Sequence, residues 1–230
     1  MGDRVEALAR RLPGPIRRPL GAIRSRWNAF RRRRRRSVEN VARVNTREAF
    51  EVVYGDRDLR GEYLSAERLA FYSEVATVCA ELAPRRIIDV GCGTGHLLAE
   101  VLRRVPDAES LVGVDYAESA IAQLAEVVPA ARGVVASLFE LTEKPQSFDL
   151  VLCTEVLEHV TGPKEALDVL VGLCKPGGHV VATVPDGEQD TYEGHVNFWS
   201  EAEFASFLSA GGAASVRRAS GGDLIGLIHR

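Results

Sequence analysis

Ile87-Ile88-Asp89-Val90-Gly91-Cys92-Gly93-Thr94-Gly95-His96-Leu97-Leu98 runs from apolar, β-branched residues through an acid and three alternating glycines into residues at helical spacing. This is the pattern of a buried strand, a tight turn and a helix start. The turn is stripped of Cβ atoms, so a ligand can lie against its backbone. A glycine loop that merely turns the chain is the plainer reading, and the acid at the strand end weighs against it. The spacing also separates cofactor classes. A dinucleotide fingerprint runs Gly-x-Gly-x-x-Gly or Ala, its last small residue letting helix pack on strand. Here His96 stands where that residue would fall, and no lysine follows to make a phosphate loop. Asp89 would repel a pyrophosphate but suits a ligand carrying an ammonium group.

Outward from this loop, strand and helix patterns alternate. The pattern predicts strand 86–90, helix 95–104, strand 111–115, helix 117–127, strands 133–136 and 148–153, helix 163–173 and strand 178–184. Such alternation implies an α/β fold with a parallel sheet and helices on both faces. The end departs from it: helix 200–210 leads to strands near 213–219 and 223–229 around Gly221-Gly222, an antiparallel hairpin. Ahead of the first strand, Asn45-x-x-Glu48 is placed to cap a helix reaching about Tyr54. A second helix, 65–82, sets Leu69, Tyr72, Val75, Ala76 and Cys79 at core spacing. The predicted organisation is an N-terminal arm at 1–44, a helical cover at 45–84 and an α/β core at 85–230.

Asp89-x-Gly91-x-Gly93-x-Gly95 is similar to the first motif of the class I S-adenosylmethionine (SAM)-dependent methyltransferases, acid-x-Gly-x-Gly-x-Gly. The parallel sheet with a reversed strand at one end resembles the same family, over residues from about 60 to 230. The resemblance implies a Rossmann-like, doubly wound seven-stranded sheet with the last strand antiparallel, preceded by N-terminal helices. It also implies SAM as cofactor, bound beyond the carboxyl ends of the strands where the winding reverses. The expected binding residues are Asp89, Gly91, Cys92, Gly93 and Gly95 in and before the loop, then Asp115, Tyr116, Ser137, Leu138 and Thr154. Asp115 closes the second strand, where a carboxylate can accept hydrogen bonds from both ribose hydroxyls. Capping of the following helix is compatible with that role. Tyr116 is placed to flank the adenine. Ser137 and Leu138 stand where the family often carries an acid near the adenine amino group, and Thr154 borders the methionine portion. An NAD-type oxidoreductase is the alternative that the glycine spacing disfavours.

Glu155-Val156-Leu157-Glu158-His159 resembles the Glu-x-x-Glu-His signature of the ubiquinone-biosynthesis O-methyltransferases. His195-Val196-Asn197-Phe198-Trp199 resembles the segment that enters the last helix in the same group. The candidate catalytic residues are therefore Glu155, Glu158, His159 and His195. If residues 155–159 are helical, the first three share a face. Three roles stay open. In the plant small-RNA 2′-O-methyltransferases a like set binds a divalent metal that activates a ribose hydroxyl, and mixed oxygen and nitrogen donors suit Mg, Mn, Fe or Zn. Without metal, which is the favoured version, His159 or His195 serves as general base in a polar substrate site. The plainest role is anchorage of a loop by Glu158-His159. The Cys174-Lys175-Pro176-Gly177-Gly178 turn is another family feature, with geometry as its only reason.

With 230 residues, 46% of them hydrophobic, the chain can bury one sizeable core plus an appendage. It has no apolar run long enough to span a bilayer and no apolar N-terminal segment of the secretory kind. Cys79, Cys92, Cys153 and Cys174 form no Cys-x-x-Cys pair and read as reduced, buried residues of a cytoplasmic protein. The net charge of −3 hides an asymmetry, since residues 1–47 carry fifteen arginines against three acids and the remainder is strongly acidic. Within the arm, Ile16, Leu20, Ile23, Trp27 and Phe30 fall on one helical face among arginines. That predicts residues 16–36 lying on an anionic membrane surface, at the inner face of the membrane. A docked or disordered arm is the main alternative, and nucleic acid is disfavoured by the apolar stripe. The expected function is transfer of a methyl group from SAM to an oxygen of a small-molecule, sugar or lipid-linked acceptor. The alternatives are a metal-assisted RNA 2′-O-methyltransferase, against which the acidic core argues, and a non-catalytic SAM-binding partner protein.

Overall fold

The computed structural model describes residues 45–56, 64–192 and 194–230. The arm at 1–44, with its predicted amphipathic stretch 16–36, lies outside the described residues. Two helices, α1 (Arg47–Gly55) and α2 (Ala66–Glu81), come first. They are followed by β1 (Arg86–Val90), α3 (His96–Arg104), β2 (Ser110–Asp115), α4 (Glu118–Val127), β3 (Arg132–Val135), β4 (Phe148–Thr154) and α5 (Pro163–Leu173). The chain then forms β5 (Cys174–Val184), α6 (Glu201–Leu208), β6 (Ala213–Arg218) and β7 (Leu224–His229).

The seven strands make one sheet in the order β3-β2-β1-β4-β5-β7-β6. β1, β2, β3, β4 and β5 pair in parallel, whereas β7 runs antiparallel to both β5 and β6. This is the Rossmann-like, doubly wound sheet expected, with the last strand reversed. β7 is inserted between β5 and β6 rather than added at the edge. Alternation along the central strands feeds two apolar layers. Ile87, Leu111, Leu150, Leu152 and Val181 face α2, α3 and α4, where Val75, Leu98, Val101 and Leu124 complete one cluster. Ile88, Val112, Val151, Cys153 and Val180 face α5 and α6, with Leu167, Leu170, Phe204 and Leu208. Strands buried on both faces read as continuous apolar runs, which is why β1, β4 and β5 stand out in the sequence. All four cysteines are buried and unpaired.

Several local expectations are corrected. Thr46, not Asn45, caps α1: its Oγ1 accepts from the Ala49 amide at 3.1 Å. Leu69 is 47% exposed, because the buried face of α2 is set by Phe71, Val75, Ala76 and Cys79. The Pro-Gly-Gly segment is not a turn ahead of β5 but a bulge within it. Cys174 pairs opposite Phe148 and His179 opposite Leu150, so residues 175–178 are accommodated between them, with Gly177 at φ +76°. The β6–β7 connection is wider than a two-residue glycine turn, since the Ala219 amide donates to the Asp223 carbonyl at 2.7 Å. Among the described residues no helix is long and apolar enough to cross a membrane.

Candidate active site

The strand order reverses between β1 and β4, and a crevice opens beyond their carboxyl ends. A cavity of about 600 Å³ fills it. Its wall includes Gly91, Cys92, Gly93, Asp115, Tyr116, Ser137, Leu138 and Thr154 from the expected cofactor set, and Glu155, Glu158, His159 and His195 from the expected catalytic set. Asp89 and Gly95 do not line it. Asn45, Phe50, Tyr54, Arg68 and Tyr72 from the two N-terminal helices and their approach close the cavity over the sheet.

The glycine loop is folded back over β2. The amides of Gly91 and Cys92 both donate to the Val114 carbonyl, at 2.8 and 2.9 Å. The Asp115 carboxylate stitches the next turn, accepting from the Gly93 amide and the Ala117 amide at 3.0 Å each. All three glycines have positive φ, at +81°, +50° and +83°, but for different ends. A Cβ on Gly91 would lie 2.2 Å from Val156 Cγ2, and one on Gly95 2.4 Å from Leu124 Cδ1. These two serve packing. A Cβ on Gly93 meets only the Tyr54 ring, its hydroxyl at 3.2 Å, so of the three glycines in the wall or behind it Gly93 is the one whose Cβ position faces the cavity. Behind the loop Asp89 is 1% exposed, and neither carboxylate oxygen has a hydrogen-bond partner among the described residues. Burial, with the Asp115 charge second, pushes its carboxyl up to about 7. Burial also raises Asp115, partly offset by the backbone donors of Ala117, Gly93 and Tyr116.

At the other end of the cavity, residues 155–160 are a turn and not a helix. Glu155 still belongs to the sheet end, its amide donating to the Thr183 carbonyl at 3.1 Å, and its φ of +56° reverses the chain. The helical argument for a shared face therefore fails. Glu155 accepts from Thr183 Oγ1 at 3.0 Å and faces the Arg68 guanidinium at 3.4 Å, apart from the other three candidates. Glu158, His159 and His195 do come together, with one donor atom from each lying within 4.8 Å of the others. The 194–198 segment is laced onto the turn by its backbone. The amides of Val196 and Asn197 donate to the Glu158 carbonyl at 2.8 and 3.1 Å, and Asn197 Nδ2 donates to the carbonyls of Leu157 and Val160 at 2.9 and 2.6 Å.

Both imidazoles present Nε2 to Glu158 Oε1, at 3.9 Å from His159 and 4.0 Å from His195. Their Nδ1 atoms are held from behind, by Asn45 Oδ1 at 3.1 Å and Asp190 Oδ2 at 2.6 Å. Neither Glu158 oxygen has a hydrogen-bond partner among the described residues. Burial, with the Glu155 charge second, drives the Glu158 carboxyl well above its ordinary value. Burial, with His195 second, pushes His159 down to about 3. The arrangement thus offers convergent oxygen and nitrogen lone pairs to a proton donor or a cation.

Several wall residues were not singled out from sequence. Arg68 is the third residue of α2, after the Ser65 cap, and its guanidinium is directed into the cavity beside Glu155. Phe50 links ring to ring with Tyr54, Tyr116 and His159 at centroid distances of 5.9, 5.6 and 6.0 Å. Tyr192 and Phe139, both about half exposed, stand at the mouth. Tyr192 alone among them stands in a polar stretch that sets it apart in the sequence. The others depend on helix rotation.

Residues 88–180 match a family described as methyltransferase domain. This segment is similar to methyltransferase domains. It spans β1 to the middle of β5 and so contains the glycine loop, Asp115 and the Glu158-His159 turn. Among curated proteins, the ubiquinone biosynthesis O-methyltransferase of Ralstonia nicotianae is 36% identical over 107 residues, 44% of this chain and 43% of that protein. That of Alkalilimnicola ehrlichii is 36% identical over 125 residues, 51% of this chain and 49% of that protein. The chain therefore matches about half the length of these relatives. The methyltransferase fold extends further than the sequence match. The Burkholderia thailandensis 1,6-didemethyltoxoflavin-N1-methyltransferase, solved with 1,6-didemethyltoxoflavin and S-adenosylhomocysteine, superposes with a TM-score of 0.65 at 21% identity, covering 80% of this chain and 86% of that one. The plantazolicin methyltransferase BpumL, solved with SAH, gives 0.63 at 15% identity, covering 84% and 99%.

Proposed function

We propose that this protein transfers a methyl group from SAM to an oxygen of a small-molecule acceptor. One observation carries the reading: a single cavity in the methyltransferase domain joins the Gly93–Asp115 corner to the Glu158, His159 and His195 cluster. SAM supplies a sulfonium-bound methyl group that an in-line nucleophile can take without further activation of the donor. The chain's residues fit such a donor. Gly93 leaves backbone open to it, Asp115 is the ribose acceptor, and Tyr116 with Leu138 packs on the adenine. The buried Asp89, with no hydrogen-bond partner among the described residues, lends negative potential beneath the loop when ionised, for a cationic amino-acid end. Arg68, already beside Glu155, is placed to meet that end's carboxylate.

At the acceptor end, His195 is the better base. Asp190 stands behind its Nδ1, as a carboxylate orients an imidazole for proton abstraction. His159, held down to about 3, stays neutral and orients the hydroxyl through Nε2. The O-methyltransferase relatives support an oxygen acceptor, and the acidic balance of residues 48–230 supports a small molecule over RNA. A divalent metal is a second reading, favoured by one observation. Glu158, His159 and His195 offer mixed donors while Asn45 and Asp190 hold the far ring nitrogens, as outer partners of metal-bound imidazoles do. A bound cation would lower the pKa of an acceptor hydroxyl there.

The test is SAM titration by calorimetry, followed by incubation of the protein with labelled SAM and a fractionated cell extract. SAM binding with label in a small-molecule or lipid fraction is the expected result. Label confined to RNA supports the RNA alternative, and binding without transfer supports the non-catalytic one. Transfer unchanged after EDTA, with no metal in the purified protein, dismisses the metal reading.

A further inference from the structure

We propose that Asn45 is a positioning residue that locks His159 in its Nδ1–H tautomer and so keeps the Nε2 lone pair turned toward the acceptor end of the cavity. The inference rests on the reading of His159 given above, but its geometry stands alone. The Asn45 side-chain nitrogen donates to the Gly194 carbonyl at 2.7 Å and to the His159 carbonyl at 3.3 Å. Carbonyls only accept, so the amide nitrogen has to lie on that side and Oδ1 on the other. Oδ1 likewise only accepts, and it sits 3.1 Å from His159 Nδ1. That nitrogen therefore carries the hydrogen. A neutral imidazole has one hydrogen to place, which leaves Nε2 bare.

The lock matters because of what stands opposite. Glu158 Oε1 lies 3.9 Å from His159 Nε2, and it is a buried acceptor with no hydrogen-bond partner among the described residues. In the other tautomer Nε2–H would point toward Glu158 Oε1, where the lone pair now stands. The site would then lose the Nε2 lone pair from its acceptor end. Asn45 opposes this loss by offering Nδ1–H a competing acceptor. It is itself fixed by position: Thr46, the next residue, caps α1, so the Asn45 backbone is anchored at the helix entrance. Its amide spans 114 residues to His159 and 149 to Gly194, and so ties the start of α1 to the β4 turn and the 194–198 loop.

The experiment uses the full chain, uniformly labelled with nitrogen-15, with neither SAM nor acceptor added. Long-range proton–nitrogen spectra of the imidazoles at pH 7.5 report the tautomer, and loss of one pattern in His159→Gln assigns it. Wild type is expected to show Nδ1–H. Asn45→Ala and the equal-volume Asn45→Leu are expected to convert His159 to Nε2–H or to a mixture. Asn45→Asp, which keeps an acceptor oxygen but no donor, is expected to leave Nδ1 protonated. A residue that merely tethers the two carbonyls would behave alike in all three variants. Wild type in the Nε2–H form, an unchanged pattern in Asn45→Leu, or Asn45→Asp matching Asn45→Leu would each overturn the proposal. Loss of methyl transfer with the Nδ1–H pattern intact would count against the function and not against the lock. Where transfer is observed, Asn45→Leu should lower it ~10-fold or more, with SAM affinity unchanged.

Discussion

At the scale of single residues, Asp89 illustrates how a motif position can be visible in the sequence while its burial is not. Its place before the glycines was legible. Its lack of access to the cavity was not, because strand alternation alone does not say which layer seals beneath a loop. The ordinary carboxyl value near 3.8 is raised to about 7 by burial, so the folded form holds this proton more tightly than the unfolded chain does. Stability from this group is complete below pH 3.8 and is lost as pH rises through about 7. Ionised there without a hydrogen bond, it costs up to about 4 kcal/mol. Asp89→Asn should therefore raise the melting temperature of the SAM-free protein at pH 8.5, show no gain near pH 4, and weaken SAM binding. Thermal scans at both pH values with a calorimetric titration check this. An equal gain at both would mean that the carboxylate is not the source.

At the scale of elements, the glycine loop divides its labour in a way that spacing cannot reveal. Gly95 starts α3 with a left-handed φ of +83° and with Leu124 pressed against it, whereas Gly93 borders the cavity. Gly95→Ala should cost about 3 kcal/mol, from backbone strain plus a repacked Leu124. Gly93→Ala should cost about 1 kcal/mol while lowering SAM affinity more than tenfold. Denaturant midpoints at constant slope, with binding measured on each variant, separate the two. The turn at 155–160 gives the complementary lesson. Glu-x-x-Glu-His suits a helix as a pattern, yet the backbone bonding of β4 to β5 continues to Glu155, which is itself left-handed at φ +56°. That is why Glu155 parts company with Glu158 and His159.

At the scale of the whole molecule, charge is distributed between segments rather than balanced within them. Fifteen arginines in residues 1–47 precede a strongly acidic remainder. We propose that the arm holds the protein at an anionic membrane surface, near lipid-linked acceptors. The full chain should co-sediment with anionic vesicles at low salt and be released as salt rises, while replacing the six arginines at 31–36 by glutamine should weaken the association. Equal behaviour with neutral vesicles, or no sedimentation with either, would sink the idea.

The order of strands and helices, the reversed last strand and the Gly93–Asp115 corner were determined by the sequence itself. Each rests on local physics: alternation of buried side chains, backbone φ that only glycine tolerates readily, and an acid at a strand end. Arg68, Asn45 and Phe50 entered the cavity wall through the rotation and docking of helices, which no local pattern encodes. The meeting of Glu158 and His159 with His195, across 36 residues of chain, was likewise decided only by tertiary structure. It depends on backbone hydrogen bonds from the 194–198 loop to the β4 turn, and those form only after the sheet has brought the two loops to the same edge.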